Sequence, residues 1–527
     1  MRPAVALPLI ALSLSACSQT DEYARPKTPL PAAWNESARN ESGDTRDRGV
    51  WPATDWWKQF HSPMLDAYMR LAETSNFDLA AAAARVRQAD AQARISGAPL
   101  LPAVDANAGV QRAQTPTQTP NNPNSRPVAK NSFTTSLSVS YELDFWGKNA
   151  AAVEAAEANA EASRFDRQTV ALTVQASVAS SYFNGLGLRD RLEAADANLA
   201  NAERVLDAIK DRVRFGTATE LDVAQQESVV ANLRAAVPPL EQQLRQNANT
   251  LAVLVGWLPE QMRSDDGTLS TVVVPAVAPG LPSDLLQRRP DIQYAEAQLI
   301  AANADIGAAR ASLFPSVKLT AEYGFESLAL STLLHSNSVL FSLGSGIAQP
   351  IFHGGALRGE RDYRQARYDE LVQTYRKAVV SAFSDVENAV VANHKTAEEE
   401  TAQKAAVDTA QRAYDIAMAQ FSAGLIDITT LLNTQKTLFA AEDALAQARL
   451  GHIQAAVGLF KALGGGWRAP TKEEKEIAKE KEKANDKSKE TDKEKPATPQ
   501  TPGTNAASMD RAAPRSTELP TKLDVNK

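Results

Sequence analysis

The sequence predicts a mainly α-helical protein that also carries a membrane β-barrel, with the barrel shared between several chains. Three observations carry that expectation. Residues 149–214 and 357–421 contain no proline, so each stretch can run as one helix of ~65 residues, about 100 Å at 1.5 Å per residue. Four segments alternate apolar and polar side chains with the period of a strand. The chain also repeats itself, with matched glycine and proline landmarks in two halves.

Composition narrows the classes. The 527 residues carry 56 Lys and Arg against 63 Asp and Glu, a net charge of −7. That balance argues against a nucleic-acid binder, which carries a clustered basic face. Mean hydropathy is −0.32, and no apolar run past the first 16 residues approaches the ~20 residues of a membrane-spanning helix. A helical inner-membrane protein is therefore excluded. The single Cys rules out a disulfide framework and a Cys-based zinc site. His61, His335, His353, His394 and His452 are too scattered for an HExxH site. There is no GxxxxGK[ST] phosphate loop, so an ATPase is not expected. Gly344-Ser345-Gly346 and Gly464-Gly465-Gly466 are too short for dinucleotide signatures. No nucleophile–base constellation is readable, so the chain is read as a passive conduit, not an enzyme, with no cofactor and no metal.

The elements follow in order. Met1-Arg2 is a basic leader and Ala4 to Leu14 is apolar, the length of a signal-peptide core. Leu14-Ser15-Ala16-Cys17 resembles the bacterial lipobox, so residues 1–16 are expected to be removed and Cys17 to carry N-acyl and S-diacylglycerol lipid. Acylation also accounts for an unpaired thiol in an oxidising compartment. Ser18, by analogy with enteric bacteria, points to sorting to the outer membrane. Residues 17–62 then form a lipidated N-terminal segment.

Two duct repeats follow, 63–275 and 276–465. Phe215-Gly216-Thr217 through Val223 matches Ala423-Gly424-Leu425 through Leu431, at an offset of 424 − 216 = 208. Asn76-Phe77-Asp78 through Leu101-Pro102 matches Arg289-Pro290-Asp291 through Phe314-Pro315, at an offset of 213. Each half reads as helix, strand, loop, strand, very long helix, tight turn, helix. Residues 77–98 are Ala-rich, a strong helix composition. Gly216 and Gly424 sit where a C′ glycine ends a long helix. Thr219 and Asp427 follow as N-caps of the next one.

The strands are 103–111, 132–145, 316–326 and 338–351. In Ser132 to Phe145 the odd positions are Phe133, Thr135, Leu137, Val139, Tyr141, Leu143 and Phe145, while the even ones are Ser, Thr, Glu and Asp. Gln114 to Ser132 reads as a long Thr/Pro/Asn hairpin loop. An open four-stranded sheet cannot cross a bilayer, because its edge N–H and C=O groups stay unsatisfied in hydrocarbon. Closed barrels begin at about eight strands. Four strands per chain must therefore combine across subunits, twelve in a trimer or eight in a dimer.

Taken together these segments resemble the outer-membrane factor family, the TolC-like ducts, and specifically its NodT-type lipoprotein branch. Arg289-Pro290-Asp291-Ile292, Ala295-Glu296, Ile306-Gly307, Ala309-Arg310 and Phe314-Pro315 carry the resemblance most clearly. Trp56-Trp57 with Phe60, Tyr141 through Lys148 and the two glycine turns add to it. The resemblance implies a homotrimer with a 12-stranded barrel in the outer membrane and a long α-helical barrel in the periplasm. It implies a periplasmic adaptor and an inner-membrane RND-type pump as partners, in a tripartite efflux system. It also implies a constriction near the periplasmic tip turns at Gly216 and Gly424. The gate position nine residues past the turn glycine is Asn433, with Thr429 one helical turn earlier and Gln225 matching in the first half. Asn433 cannot supply the negative ring that favours cations.

From residue 466 to 527 the chain departs from this pattern. Residues 468–527 hold 14 basic and 12 acidic side chains, net +2, which leaves −9 for the rest. So little apolar content is expected to leave this tail disordered. A periplasmic coiled-coil lipoprotein that scaffolds the envelope is the competing reading, and sustained heptads would favour it. The alternating segments 132–145 and 316–326 count against it.

Overall fold

In the computed structural model the described residues are 21–29, 31, 34, 51–115, 128–262, 267–277, 280 and 282–468. All of them fall in one compact unit, Met1–Ala469. Cys17 and the tail beyond Arg468 lie outside the described residues.

Seven helices and four strands matter here. Helices α1 (Pro63–Ser75) and α2 (Phe77–Gly97) lead into strands β1 (Ala103–Thr115) and β2 (Val128–Leu143). Helices α3 (Lys148–Arg214) and α4 (Glu220–Val255) complete the first half. The second half runs α5 (Pro290–Ala311), β3 (Ser316–Ser327), β4 (Val339–Ala348), α6 (Ala356–Ser422) and α7 (Ile428–Ala462). The two long helices have 67 residues each, and both ends keep the offset read from the sequence, 356 − 148 = 208 and 422 − 214 = 208. The α2 and α5 starts keep the other one, 290 − 77 = 213.

Local chemistry explains most boundaries. Asn76 caps α2 by accepting from the Leu79 N–H at 3.0 Å, and its amide donates to the Leu254 carbonyl at 2.8 Å. That second bond ties the start of the first half to the end of α4. Gly256 sits at φ +75 where a Cβ would lie 2.2 Å from the Ser75 carbonyl oxygen, so only glycine fits this junction.

The four strands form one antiparallel sheet in the order β1-β2-β3-β4. Several strand limits differ from the expected ones. Gln114 pairs with Ala129 and Thr115 with Val128, so the ladder consumes both ends of the expected hairpin loop. Backbone pairing continues there although the side-chain alternation fades. Strand β4 ends at Ala348 and not at residue 351, because Pro350 offers no N–H to a ladder.

Three large cores and one small one hold the helices together. The largest gathers the 3-10 turn Trp56–Phe60, α1, the middle of α3 and the end of α7. Trp56 stacks on Phe460 at 5.0 Å between centroids, and Phe60 meets Phe183 at 5.0 Å. A second core packs Ile292 and Leu299 of α5 on Tyr375, Val379 and Val386 of α6. The third lies near the Gly216 and Gly424 turns. There Val205, Leu206 and Ile209 of α3 meet Val223, Phe421 and Leu431 of the other three long helices. Beyond α7 the turn Gly464–Trp467 closes the body, with Trp467 edge-on to Phe165 at 5.8 Å.

Candidate functional site

The register sorts the sheet into two faces. The rows Val104–Val139–Ala321–Leu343 and Ala106–Leu137–Tyr323–Phe341 are wholly apolar. The alternate rows are polar, among them Asp105–Ser138–Glu322–Ser342 and Glu142–Lys318. Leu343 is 85% and Phe341 79% exposed, although water is the wrong solvent for such a face. Strands β1 and β4 each keep an outer edge that pairs with nothing among the described residues. No helix among them is long and apolar enough to cross a membrane.

At the sheet base Trp146 stacks on Phe314 at 5.0 Å and donates its indole N–H to the Pro315 carbonyl at 2.7 Å. Lys148, the first residue of α3, reaches Glu142 of β2 at 3.2 Å. These contacts hold the start of α3 against the end of α5.

The far ends of the long helices are two tight turns built alike. After α3, Gly216 takes φ +72, its N–H donates to the Val213 carbonyl at 2.9 Å, and the Thr217 N–H donates to Arg212 at 2.9 Å. After α6, Gly424 takes φ +73, with bonds to Phe421 at 3.0 Å and from the Leu425 N–H to Gln420 at 2.9 Å. Both are Schellman endings. Thr219 and Asp222 form a capping box on α4. Asp427 caps α7, accepting from the Thr430 N–H at 2.9 Å and its hydroxyl at 2.7 Å. Those bonds, the hydroxyl first, hold the Asp427 carboxyl below the ordinary carboxylate range.

Thr429 and Asn433 are both exposed on one face of α7, while Ile428, Leu431 and Gln435 are buried on the other. Gln225 is half-buried on α4. The next residue, Gln226, is fully buried and donates to the Ala202 carbonyl at 2.8 Å. Gln435 is 1% exposed and neither of its amide atoms has a protein partner. An orphaned buried amide atom costs about 1–3 kcal/mol.

Two features here had no signal in the sequence. Arg212, near the end of α3, donates to the Phe421 and Ser422 carbonyls of α6 at 2.9 and 3.0 Å. A basic side chain in the last turn of a helix is ordinary, and nothing local says that it reaches another helix. The second is a strap. Residues 21–29 are held against α5, with Arg25 gripping Glu296 through bonds of 2.7 and 2.8 Å. Asp21 meets Arg310 at 2.5 Å and takes the Asn303 amide on its carbonyl at 2.7 Å. Further along, Trp34 donates to Gly280 at 2.9 Å and tilts against Phe383. Arg25 and Glu296 are 271 residues apart, so no spacing rule pairs them.

Comparison with known proteins matches this architecture. The family model for outer membrane efflux proteins matches residues 69–257 and 281–465. The chain is 42% identical over 463 residues to the pyoverdine export outer membrane protein OpmQ of Pseudomonas aeruginosa, covering 87% of this chain and 96% of that one. It is 32% identical over 480 residues to the toluene efflux pump outer membrane protein TtgC of Pseudomonas putida, covering 90% and 98%. Among solved structures, the open-state MtrE outer membrane channel of Neisseria gonorrhoeae superposes with a TM-score of 0.76 at 28% identity, covering 86% and 99%. The outer-membrane channel OprN superposes at 0.77 with 28% identity, covering 86% and 100%.

Proposed function

We infer the work of this chain from the fact that it belongs to the outer membrane efflux protein family. It has the fold of the TolC-like channels and is the outer-membrane channel component of an efflux system. The finer reading is a homotrimer whose four-stranded sheets join edge to edge as one 12-stranded barrel. The observation that carries it is the sheet with one apolar face and two free edges. Alone, that sheet leaves backbone groups unsatisfied in hydrocarbon, and closure with two copies removes both edges.

The long helices then continue the duct into the periplasm, with the Gly216 and Gly424 turns at its far end. There it meets a periplasmic adaptor and, through it, an RND-type pump of the inner membrane. The duct itself works passively, and small organic molecules are its cargo. Relatives named for pyoverdine and for toluene support that class. Native mass measurement of the detergent-extracted protein is expected to give three copies. A monomer in the soluble fraction refutes the shared barrel.

Cys17 is the proposed lipid site. The strap supports it, because Asp21 is held at Arg310, close in sequence to the start of β3 at Ser316. Four residues of extended chain span at most about 14 Å, so an acylated Cys17 lies within reach of the membrane end of the sheet. Labelling with a fatty-acid probe is expected in the wild type and lost in Cys17→Ser. Labelling that persists in the variant refutes the assignment. Thr429 and Asn433, exposed together on α7, are the proposed gate positions.

A further inference from the structure

We propose that a cavity between α1, α3 and α4 is a binding site for a small aromatic carboxylate, one per protomer. The inference does not depend on where the duct is gated.

The cavity measures about 230 Å³. An apolar cavity of about 150 Å³ takes up one benzene, so this one has room for a single ring with a carboxylate attached. Its walls are apolar and firmly held. Tyr68 of α1 and Tyr182 of α3 lie with ring centres 5.9 Å apart and are 7% and 5% exposed. Leu186 and Leu251 continue the wall, and all four belong to the largest core. The Tyr182 hydroxyl is engaged by the Ser62 hydroxyl at 2.8 Å, which fixes the ring in place.

Gly185 of α3 makes the room. A Cβ there would lie 3.0 Å from the Asn247 side-chain nitrogen. Asn247 cannot move aside cheaply. Its amide donates to the Ser181 carbonyl at 2.8 Å, and its oxygen accepts from Asn184 at 3.0 Å and from the Ser181 hydroxyl at 3.2 Å. The cavity is therefore open in the folded chain before any guest arrives.

Charge selects the guest. Among the described residues that line the cavity are Arg189 and Arg245, and no acidic side chain. Arg245 is loosely held, 81% exposed and 3.5 Å from Glu241 one turn earlier, so its guanidinium is able to turn towards a ligand. A guanidinium takes a carboxylate through two parallel bonds and also stacks on aromatic faces. An apolar body with a few placed polar groups is the usual form of a small-molecule site.

The internal repeat shows that the fold alone does not demand this cavity. At the offset of 208, Tyr182, Gly185, Arg189 and Arg245 are replaced by Val390, Asn393, Ala397 and Ile453. The second hairpin thus lacks the aromatic wall, the floor glycine and both cations. The described walls all come from one chain, so each protomer carries its own site.

The test is fluorine NMR of para-fluorobenzoate added to purified trimers, against the same detergent without protein. Para-fluorobenzyl alcohol is run beside it as the neutral match. For the wild type, line broadening beyond the detergent blank and a ligand-dependent rise in melting temperature are expected. The alcohol is expected to bind about tenfold more weakly, the loss of one charge-assisted contact. Arg245→Gln is expected to weaken the carboxylate about tenfold and to leave the alcohol unchanged. Ala248→Phe, which fills the cavity from α4, is expected to abolish both. Should Ala248→Phe not assemble, Arg245→Gln carries the test, since its side chain lies mostly in water. No binding by the wild type, or equal binding by the wild type and the variants, overturns the site. Equal binding of the carboxylate and the alcohol overturns the assignment to an anion.

Discussion

Replacing Arg25 with Ala unfastens the N-terminal strap without unfolding the body beneath it. Glu296 is 8% exposed, and Arg25 holds it through two short parallel bonds. After the substitution its nearest remaining side-chain donor is Gln293 at 3.5 Å, at the limit of a hydrogen bond. Breaking a fully buried pair costs about 3–5 kcal/mol, while an exposed pair contributes roughly 0–1 kcal/mol. The Arg25 side chain is 44% exposed against 10% for Glu296, so solvent screens one partner and the effect falls between, at about 2 kcal/mol. That is roughly a thirtyfold rise in the open population of the strap. Trypsin cleavage after the exposed Lys27, followed by mass spectrometry, reads it and is expected to run roughly thirtyfold faster. The helix under the strap, Pro290–Ala311, keeps its protection because its own core with Tyr375 and Val379 is untouched. Glu296→Gln retains an acceptor for Arg25 and gives a smaller rise. An unchanged cleavage rate at Lys27 refutes the clasp, and equally accelerated cleavage at Arg310 in the helix Pro290–Ala311 shows that Arg25 supports the body instead.

Three more outcomes follow from the geometry. Gly424→Ala meets no atom within 4 Å, so it costs only the left-handed backbone, about 1–2 kcal/mol. Gly464→Ala would put a Cβ 2.2 Å from the Arg288 carbonyl oxygen and lowers the melting temperature by more than Gly424→Ala does. The Asp427 cap is pH-dependent with a definite sign. Its folded carboxyl titrates below the unfolded one, so the cap's contribution is present above the unfolded value and is lost as pH falls through the folded value. Amides at the start of α7 are expected to lose protection in acid, and Asp427→Asn, which keeps the acceptor, removes that dependence. Deleting residues 470–527 is expected to leave the melting temperature and the trimer unchanged, since the compact unit ends at Ala469; loss of the trimer shows that the tail takes part in assembly.

Much of this molecule is written in local pattern. Proline-free runs become helices of 67 residues, and two glycines end them at the same offset of 208. Helix propensity, capping and left-handed glycine are properties of neighbouring residues, so they can be read without knowing the fold. The two faces of each strand were legible for the same reason, since side-chain alternation fixes which face a residue takes once the sheet forms. Thr429 and Asn433, the proposed gate positions, are exposed together because they lie four residues apart on one helix.

Contacts between distant segments were not legible. Glu296 reads as one more acidic residue on an Ala-rich helix until Arg25 closes on it. Arg212 reads as a solvated cation until the end of α6 arrives beneath it. Helix α4 runs through Pro238 and Pro239, where propensity alone, at ~3 kcal/mol for each proline, ends a helix. Buried Val230, Leu240, Leu251 and Val255 hold it on course against α3 and its neighbours. By itself the sequence determined the elements, their order and the twofold repeat, because those depend on interactions a few residues long. The tertiary structure alone decided the strap, the bonds from Arg212 to the end of α6 and the buried Gln435, because each depends on which distant surfaces pack together and on what that packing leaves paired or unpaired.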